Sequence, residues 1–199
     1  MLPLTLDLAR LKVLVIGEGA AALRRLELLD AAGARDLTLH AERPDPAVAH
    51  RAGDRLVRRL PGDDEFAGAR LVFFSDRNAA ATPRLAAAAR AAGALVHVED
   101  APALSDLHAP AVLRRGDLTI AVSTSGLSPA LALRLKHFLG EIIGPEWGAR
   151  LARLAVLRQD WRRAGAGAET LSRRTEDMIA RERWLPAPTP ERLKPRRAA

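Results

Sequence analysis

The stretch from Lys12 to Gly33, KVLVIGEGAAALRRLELLDAAG, does most to limit what this chain can fold into. Val13 to Ile16 is a short branched apolar run, the length of one buried strand. Gly17-Glu18-Gly19 follows, and then a helical pattern that stops at Gly33, a residue suited to the left-handed position past a helix end. Strand, glycine turn and helix in that order match what a dinucleotide pyrophosphate requires. Neither glycine carries a Cβ, so Gly17 allows a tight turn and Gly19 lets backbone N–H groups approach a phosphate. Ala22 takes the third small position, where helix and strand pack closely. The helix start contributes unpaired N–H donors and the positive end of its dipole. Gly17, Glu18, Gly19, Ala20 and Ala21 are therefore the candidate phosphate contacts.

The rest of the first half repeats the alternation of strand and helix. Leu23, Leu26 and Leu29 lie three apart and predict the buried helix face, with Arg24, Arg25 and Asp30 off it. Strands are expected at Asp36–His40, Arg55–Leu60, Ala69–Phe74 and Ala94–Val98. Helices are expected near Ala47–Gly53 and over the alanine-rich Ala79–Ala92. The apolar run Leu2 to Leu11 reads as a strand or covering arm. Glu42, at the end of the second strand, stands where an acidic residue binds adenosine ribose hydroxyls and favours NAD. Ser75 and Asp76 open a polar loop, with Arg77 and Asn78, at a strand's carboxyl end, where open α/β sheets place ligands.

After Asp100 the pattern changes. Ala111–Arg115 and Leu118–Ser123 predict a hairpin around Gly116. Ser128-Pro129 then opens a helix with Leu131, Leu135, Phe138 and Ile142 on one stripe. A hairpin with one amphipathic helix buries its own apolar face poorly, which implies a dimerisation unit. A helix from Glu146 to about Arg163 carries Trp147, Leu151, Leu154, Leu157 and Trp161 on one side, and a weaker one runs from about Glu169 to Trp184. The expected class is α/β. A Rossmann-type doubly wound parallel sheet (1–110) is followed by a small α+β dimerisation element (111–144), a C-terminal helical segment (145–184) and a basic, proline-rich mobile tail (185–199).

Composition removes several alternatives. The chain has no cysteine, so disulfides, thiolate metal sites and cysteine nucleophiles are excluded. Its longest apolar run is far below the ~20 residues of a membrane span. The first residues lack a signal-peptide pattern, and the expected location is the cytoplasm. The net charge of +7 owes part of its excess to Arg192, Lys194, Arg196 and Arg197. With few aromatics to stack on bases, it points to a polyanionic small substrate in preference to nucleic acid.

Four stretches carry a resemblance to a known family. Leu2-Pro3-Leu4 precedes the glycine turn and its basic pair Arg24-Arg25. Val98-Glu99-Asp100 ends the fifth strand. Ala109 to Leu118, APAVLRRGDL, leads into Ile120-Ala121-Val122-Ser123-Thr124. Gly126 to Ala132, GLSPALA, opens the next helix. Together these resemble the N-terminal module of sirohaem synthase, the precorrin-2 dehydrogenase/sirohydrochlorin ferrochelatase family. The resemblance implies a Rossmann domain, a dimerisation element and a helical part, forming a homodimer. It implies NAD-dependent oxidation of precorrin-2 to sirohydrochlorin and, in many members, insertion of Fe2+ as a chelatase substrate. The family's catalytic aspartate falls on Asp100, a carboxylate able to take the proton that accompanies hydride loss.

A tetrapyrrole fringed with acetates and propionates calls for cationic and N–H donors. The candidates are Arg114, with Arg115, Arg134 and Lys136, the hydroxyls of Ser123, Thr124 and Ser125, Gly126, and the helix start at Ser128. His108 is expected to line the cleft. His97 and His108 flank Asp100, but a dedicated His/Asp metal cage is not expected, and Asp100 alone is left as a metal-facing oxygen. The chain departs from the family pattern at Glu18, which breaks a run of glycines. It departs again at Phe74-Ser75-Asp76-Arg77, where Ala-Thr-Asp-Asp is usual, and at His97, where asparagine is usual. These departures motivate a competing reading, a non-catalytic dimer that binds a tetrapyrrole or dinucleotide.

Overall fold

The computed structural model describes residues 2–76 and 80–186 and divides into two compact units, Met1–Pro110 with Ser123–Pro129, and Ala111–Val122 with Ala130–Ala199. The first holds five parallel strands: β1 (Lys12–Ile16), β2 (Asp36–His40), β3 (Leu56–Val57), β4 (Ala69–Phe74) and β5 (Leu95–Val98), in the order β3-β2-β1-β4-β5. Helices α1 (Ala20–Ala31), α2 (Pro46–Ala52) and α3 (Thr82–Ala91) connect them. The doubly wound parallel sheet expected from the alternation is present.

Strand periodicity explains the two cores. Val13 and Val15 of β1, Leu37 and Leu39 of β2, and Leu71 and Phe73 of β4 face α1 and α2. Leu14, Ile16, Val72, Phe74, Val96 and Val98 point the other way, toward Leu85, Ala86 and Ala89 of α3 and toward Phe66. A strand covered on both faces has no polar alternation, which is why VLVI and LVFF are unbroken apolar runs. Each fully buried branched or aromatic side chain contributes about 1.5–3 kcal/mol relative to exposure.

Several boundaries differ from expectation. Leu2 to Leu11 forms no strand. It ends in a 3-10 turn at Leu8–Arg10 capped by Asp7, and Leu2, Leu4 and Leu6 are exposed. The third strand is only Leu56–Val57, because just two of its residues find partners in β2. Helix α3 spans Thr82–Ala91, with proline in its first turn, while Ala79, where the expected helix opens, lies outside the described residues. The loop residues 77–79, Arg77 and Asn78 among them, and the tail from 187 onward lie outside the described residues.

The second unit contains an antiparallel hairpin, β6 (Ala111–Arg115) with β7 (Leu118–Val122), and helices α4 (Pro129–Ile142), α5 (Glu146–Arg163) and α6 (Ala168–Arg181). The hairpin turns through Gly116 at φ 57°, and a Cβ on Gly148 would stand 3.1 Å from the Arg115 backbone, so α5 lies close against it. Arg115 donates from Nε to the Ile143 carbonyl (2.8 Å) and from Nη2 to the Gly140 carbonyl (3.1 Å), tying off the end of α4. A cation there also suits the negative end of the helix dipole. Arg153 grips Glu182 through two hydrogen bonds of 2.8 and 2.7 Å, and the Arg150 guanidinium lies over the Trp147 and Trp184 rings. The proposed inner face of α5 is half-buried throughout and no residue of that helix is fully buried.

One polar group sits deep in the first unit. His40 is 1% exposed, and its Nδ1 has no hydrogen-bond partner among the described residues. It lines a cavity of about 100 Å³ with Lys12, Leu14, Thr38 and Glu65. Burial pushes its pKa below 6.5, against the opposing pull of Glu65 and the Arg59 backbone, and the positive charges of Arg59 and Lys12 add to the lowering. The folded chain thus holds His40 neutral, whereas the unfolded chain protonates it below about pH 6.5. His40 therefore takes nothing from stability above that pH and costs stability as the pH falls from there toward its folded value. Thermal unfolding between pH 7.5 and 5 is expected to show Tm falling in the wild type and falling less steeply in His40→Gln. Parallel slopes would show that burial does not perturb His40.

Candidate active site

The chain leaves β1 toward β2 on one side and β4 toward β5 on the other, so a crevice opens between the carboxyl ends of β1 and β4. Open α/β sheets bind ligands at this kind of reversal point. Ile16 pairs with Phe74, and the Ser75 N–H continues the ladder to the Ile16 carbonyl at 2.9 Å. The glycine turn and the Ser75-Asp76 loop therefore start side by side.

Neither glycine of the turn adopts a left-handed conformation. Gly17 is required for a different reason from the one expected: a Cβ there would stand 2.8 Å from Asp76 Oδ2, 3.0 Å from Ala22 Cβ and 3.2 Å from Ser75 Cβ. Gly19, the residue before α1, has open space, with nothing nearer than 3.7 Å to an added Cβ. Asp76 aims its carboxylate at the turn, and Oδ2 accepts from the Glu18 N–H and from the Gly19 N–H at 2.8 Å. An anion thus sits on the amides at the head of α1, supplied by the chain itself. Ala20 is exposed and Ala21 half-buried at the start of the helix.

Glu18 does not direct its charge into that seat. Its Oε1 accepts from the Glu42 N–H at 2.8 Å and the Arg43 N–H at 2.6 Å, and its carbonyl accepts from the Asp45 N–H at 2.8 Å. The turn is thereby fastened to the loop after β2, and the exposed Glu42 is held there by its backbone. Ser75 is 2% exposed and its Oγ has no partner among the described residues. A cradle that a Cβ would fill, two amides already trained on a carboxylate, and an unpartnered buried hydroxyl at the crevice together fit the phosphate portion of a dinucleotide.

Asp100 lies just past β5. The Ala101 N–H closes a turn onto the Val98 carbonyl at 3.2 Å, with Asp100 at φ 55°. Its side chain is exposed and makes no hydrogen bond or ion pair among the described residues. Beneath it is a packed polar cluster that sequence reasoning missed. Arg25 was expected off the buried face of α1, yet the buried residues are Ala22, Arg25, Leu26 and Leu29. Its guanidinium lies 4.7 Å from the centroid of the Phe73 ring, and Nη2 bonds Glu99 Oε2 at 3.1 Å. The spacing of Arg25 from Ala22 and Leu29 was the available signal. Phe73 meets His97 edge to face at 5.8 Å. His97 Nδ1 is 3.0 Å from the Leu107 carbonyl, which can only accept, so Nδ1 carries the proton. Burial lowers the pKa of His97 and leaves its other nitrogen free of a proton. Among the described residues no group of three or more His, Asp or Glu could hold a metal ion.

The segment after Asp100 runs back along β5 by side-chain bonds. Ser105 Oγ accepts from the Val98 N–H at 2.9 Å, and Asp106 Oδ2 accepts from the Val96 N–H at 3.0 Å. It delivers His108 to within 3.5 Å of where a Gly126 Cβ would stand. Gly126 belongs to a turn in which Ser125 (φ 55°) and Gly126 (φ 81°) are both left-handed and the Leu127 N–H reaches the Thr124 carbonyl at 2.9 Å. Thr124 Oγ1 accepts from the Ser128 N–H (3.1 Å) and donates to its carbonyl (3.0 Å), while Ser123 Oγ accepts from the Ser125 N–H at 3.1 Å. Thr124 therefore ties the loop back onto Ser128. Asp100, His108 and Ser123 to Ser128 share the first unit. Arg114 does not. It belongs to the second unit, where its Nη1 donates to Thr119 across the hairpin at 3.2 Å. Arg115 is committed to the end of α4, as described above.

Comparison with known proteins agrees with this geometry. Residues 4–111 match a family model described as NAD(P)-binding, and residues 115–139 match one described as the central part of a sirohaem biosynthesis protein. The precorrin-2 dehydrogenase of Bacillus subtilis (strain 168) is 31% identical over 162 residues, covering 80% of this chain and 99% of that protein. The siroheme synthase of Methylococcus capsulatus is 36% identical over 167 residues, covering 82% of this chain but 35% of that longer protein. A solved structure, SirC, precorrin-2 dehydrogenase, superposes with a TM-score of 0.75 at 22% identity, over 90% of this chain and 89% of that one, and so shares the fold. With the dinucleotide-binding half matched from residue 4 to 111 and the Bacillus relative matched almost end to end, the chain belongs to the precorrin-2 dehydrogenase/siroheme synthase family.

Proposed function

We propose that the protein oxidises precorrin-2 to sirohydrochlorin with NAD, working as a cytoplasmic homodimer. The observation that carries this reading is the juxtaposition at one sheet edge of an anion-holding glycine turn and, past β5, an exposed Asp100 in a left-handed turn with no partner among the described residues. Oxidation of the macrocycle removes a hydride and a proton. NAD supplies the hydride acceptor when bound, and Asp100 receives the proton. The amides of Glu18 and Gly19, with Gly17, Ala20 and Ala21 at the head of α1, would hold the cofactor's phosphates. Glu42 takes the ribose, and Ser75 offers its unpartnered hydroxyl. His108, Ser123, Thr124, Ser125, Gly126 and Ser128 offer donors to the substrate's carboxylates, with Arg114 as a cationic contact. A carboxylate that accepts protons from the macrocycle also suits insertion of Fe2+ into sirohydrochlorin, a separable activity measured against metallation without protein.

A second reading rests on Asp76. Because its carboxylate already occupies the turn amides, a dinucleotide phosphate must displace it, and a binding dimer without turnover follows if displacement is poor. Both readings meet in one assay, in which the protein is mixed with NAD and precorrin-2 and the macrocycle spectrum is followed. NAD-dependent oxidation is expected, with Asp100→Asn lowering kcat by roughly 10²–10⁴-fold and leaving the Kd for NAD unchanged. Tight binding with no oxidation in the wild type would support the binding dimer and sink the enzyme.

Asp76→Asn is expected to tighten NAD binding by about tenfold, since the competing hydrogen bonds lose their charge assistance. Adenosine, which has no phosphate, should bind both forms alike. Unchanged or weaker NAD binding would show that Asp76 does not compete for the seat.

The homodimer is supported by α4, whose stripe faces solvent: Leu131 is 51% exposed, Phe138 55% and Ile142 61%. Such a contiguous apolar face marks an interaction surface. Light scattering is expected to give the mass of two chains for the wild type and of one for Phe138→Glu. A wild-type monomer would remove the proposal.

A further inference from the structure

Arg25 is a buried charge that the chemistry above does not use. It is 8% exposed, stacks on Phe73, has a buried Nε with no partner among the described residues, and holds one anion, Glu99, at 3.1 Å. Burying a guanidinium this way is expensive, and replacing such a pair by apolar groups is often neutral or stabilising, so fold stability gives little reason to keep it. Its placement gives a better one. Glu99 directly precedes Asp100, and its backbone N–H extends the sheet to the Phe74 carbonyl at 2.9 Å. Glu99 is thus fixed by main chain and side chain together, next to a residue held at φ 55°. A non-glycine residue stays in that region only where its surroundings impose it. At the other end of the pair, Arg25 stands on α1, the helix that begins directly after the glycine turn.

We propose that the Arg25–Glu99 pair is a positioning device that fixes the turn bearing Asp100 against the helix that follows the cofactor turn. Arg25 acts through Glu99 and touches neither substrate nor cofactor. The proposal rests on the reading of Asp100 as the proton acceptor. In functional terms, the pair sets where the carboxylate stands relative to a hydride acceptor seated at the head of α1, and a small misplacement of such a group costs rate more than binding.

The test uses the full chain with Arg25→Met, Glu99→Gln, the double variant and the conservative Arg25→Lys. Each single substitution is expected to lower kcat by about tenfold or more. The Kd for NAD stays within about twofold, and the double variant is no slower than the slower single, because both remove one coupled interaction. Arg25→Lys, which keeps the charge, retains more of kcat than Arg25→Met. Amide exchange supplies a readout that needs no turnover: the Ala101 N–H, which closes the turn, should exchange about tenfold faster in Arg25→Met while β1 amides are unchanged. Losses that multiply in the double variant, or that follow NAD affinity or Tm, would overturn the proposal. So would unchanged exchange at Ala101. If the wild type shows no oxidation, the proposed reaction fails on its own, and the exchange result still decides whether the pair holds the turn.

Discussion

Gly17 is the constraint on which the rest of this site depends. Three groups converge on the place its side chain would occupy: the Asp76 carboxylate, Ala22 of α1 and Ser75 at the end of β4. Because nothing stands there, the strand end, the helix and the neighbouring loop come within contact of one another, and the amides of Glu18 and Gly19 are left facing an anion. The absent Cβ acts here through close approach of separate elements, since the backbone at Gly17 is one that any residue could adopt.

The consequence is a crevice whose charges are arranged by the chain before any ligand arrives. Asp76 takes the amides at the head of α1, and Glu18 takes those of Glu42 and Arg43. Arg25 and Glu99 neutralise one another under the Asp100 turn. Asp100 itself, on the surface and in a conformation its neighbours impose, makes no hydrogen bond or ion pair among the described residues. A carboxylate that is free while those around it are engaged is suited to accepting a proton, because it does not have to break a hydrogen bond first.

The two units are stabilised differently. The first covers its sheet on both faces, and its strands are buried accordingly. Among the described residues the second has one hairpin and three helices, and its stability draws on aromatic and arginine contacts among Trp147, Arg150, Trp184, Arg153 and Glu182. It leaves the apolar stripe of α4 facing water, which a small unit of this composition cannot cover by itself.

The alternation of strands and helices, the glycine turn and the apolar runs of β1 and β4 were legible because each arises from contacts local in sequence or from a simple period. Hairpin and helices of the second half were legible for the same reason, to within about three residues. Arg25 was misread because periodicity treats a guanidinium as a surface group, and its partner Glu99 lies 74 residues away. Asp76 was expected near the cofactor, but its hold on amides 57 and 58 residues earlier could not be seen until β4 was set beside β1. Arg114 and the hydroxyl loop are close in sequence yet belong to different units. What the sequence by itself determined is the order of elements, the kind of sheet and the family, all of which follow from local pattern and motif. Which side chains face one another at the crevice was decided only by the tertiary structure, because parallel pairing brings together residues whose separation along the chain carries no signal of their contact.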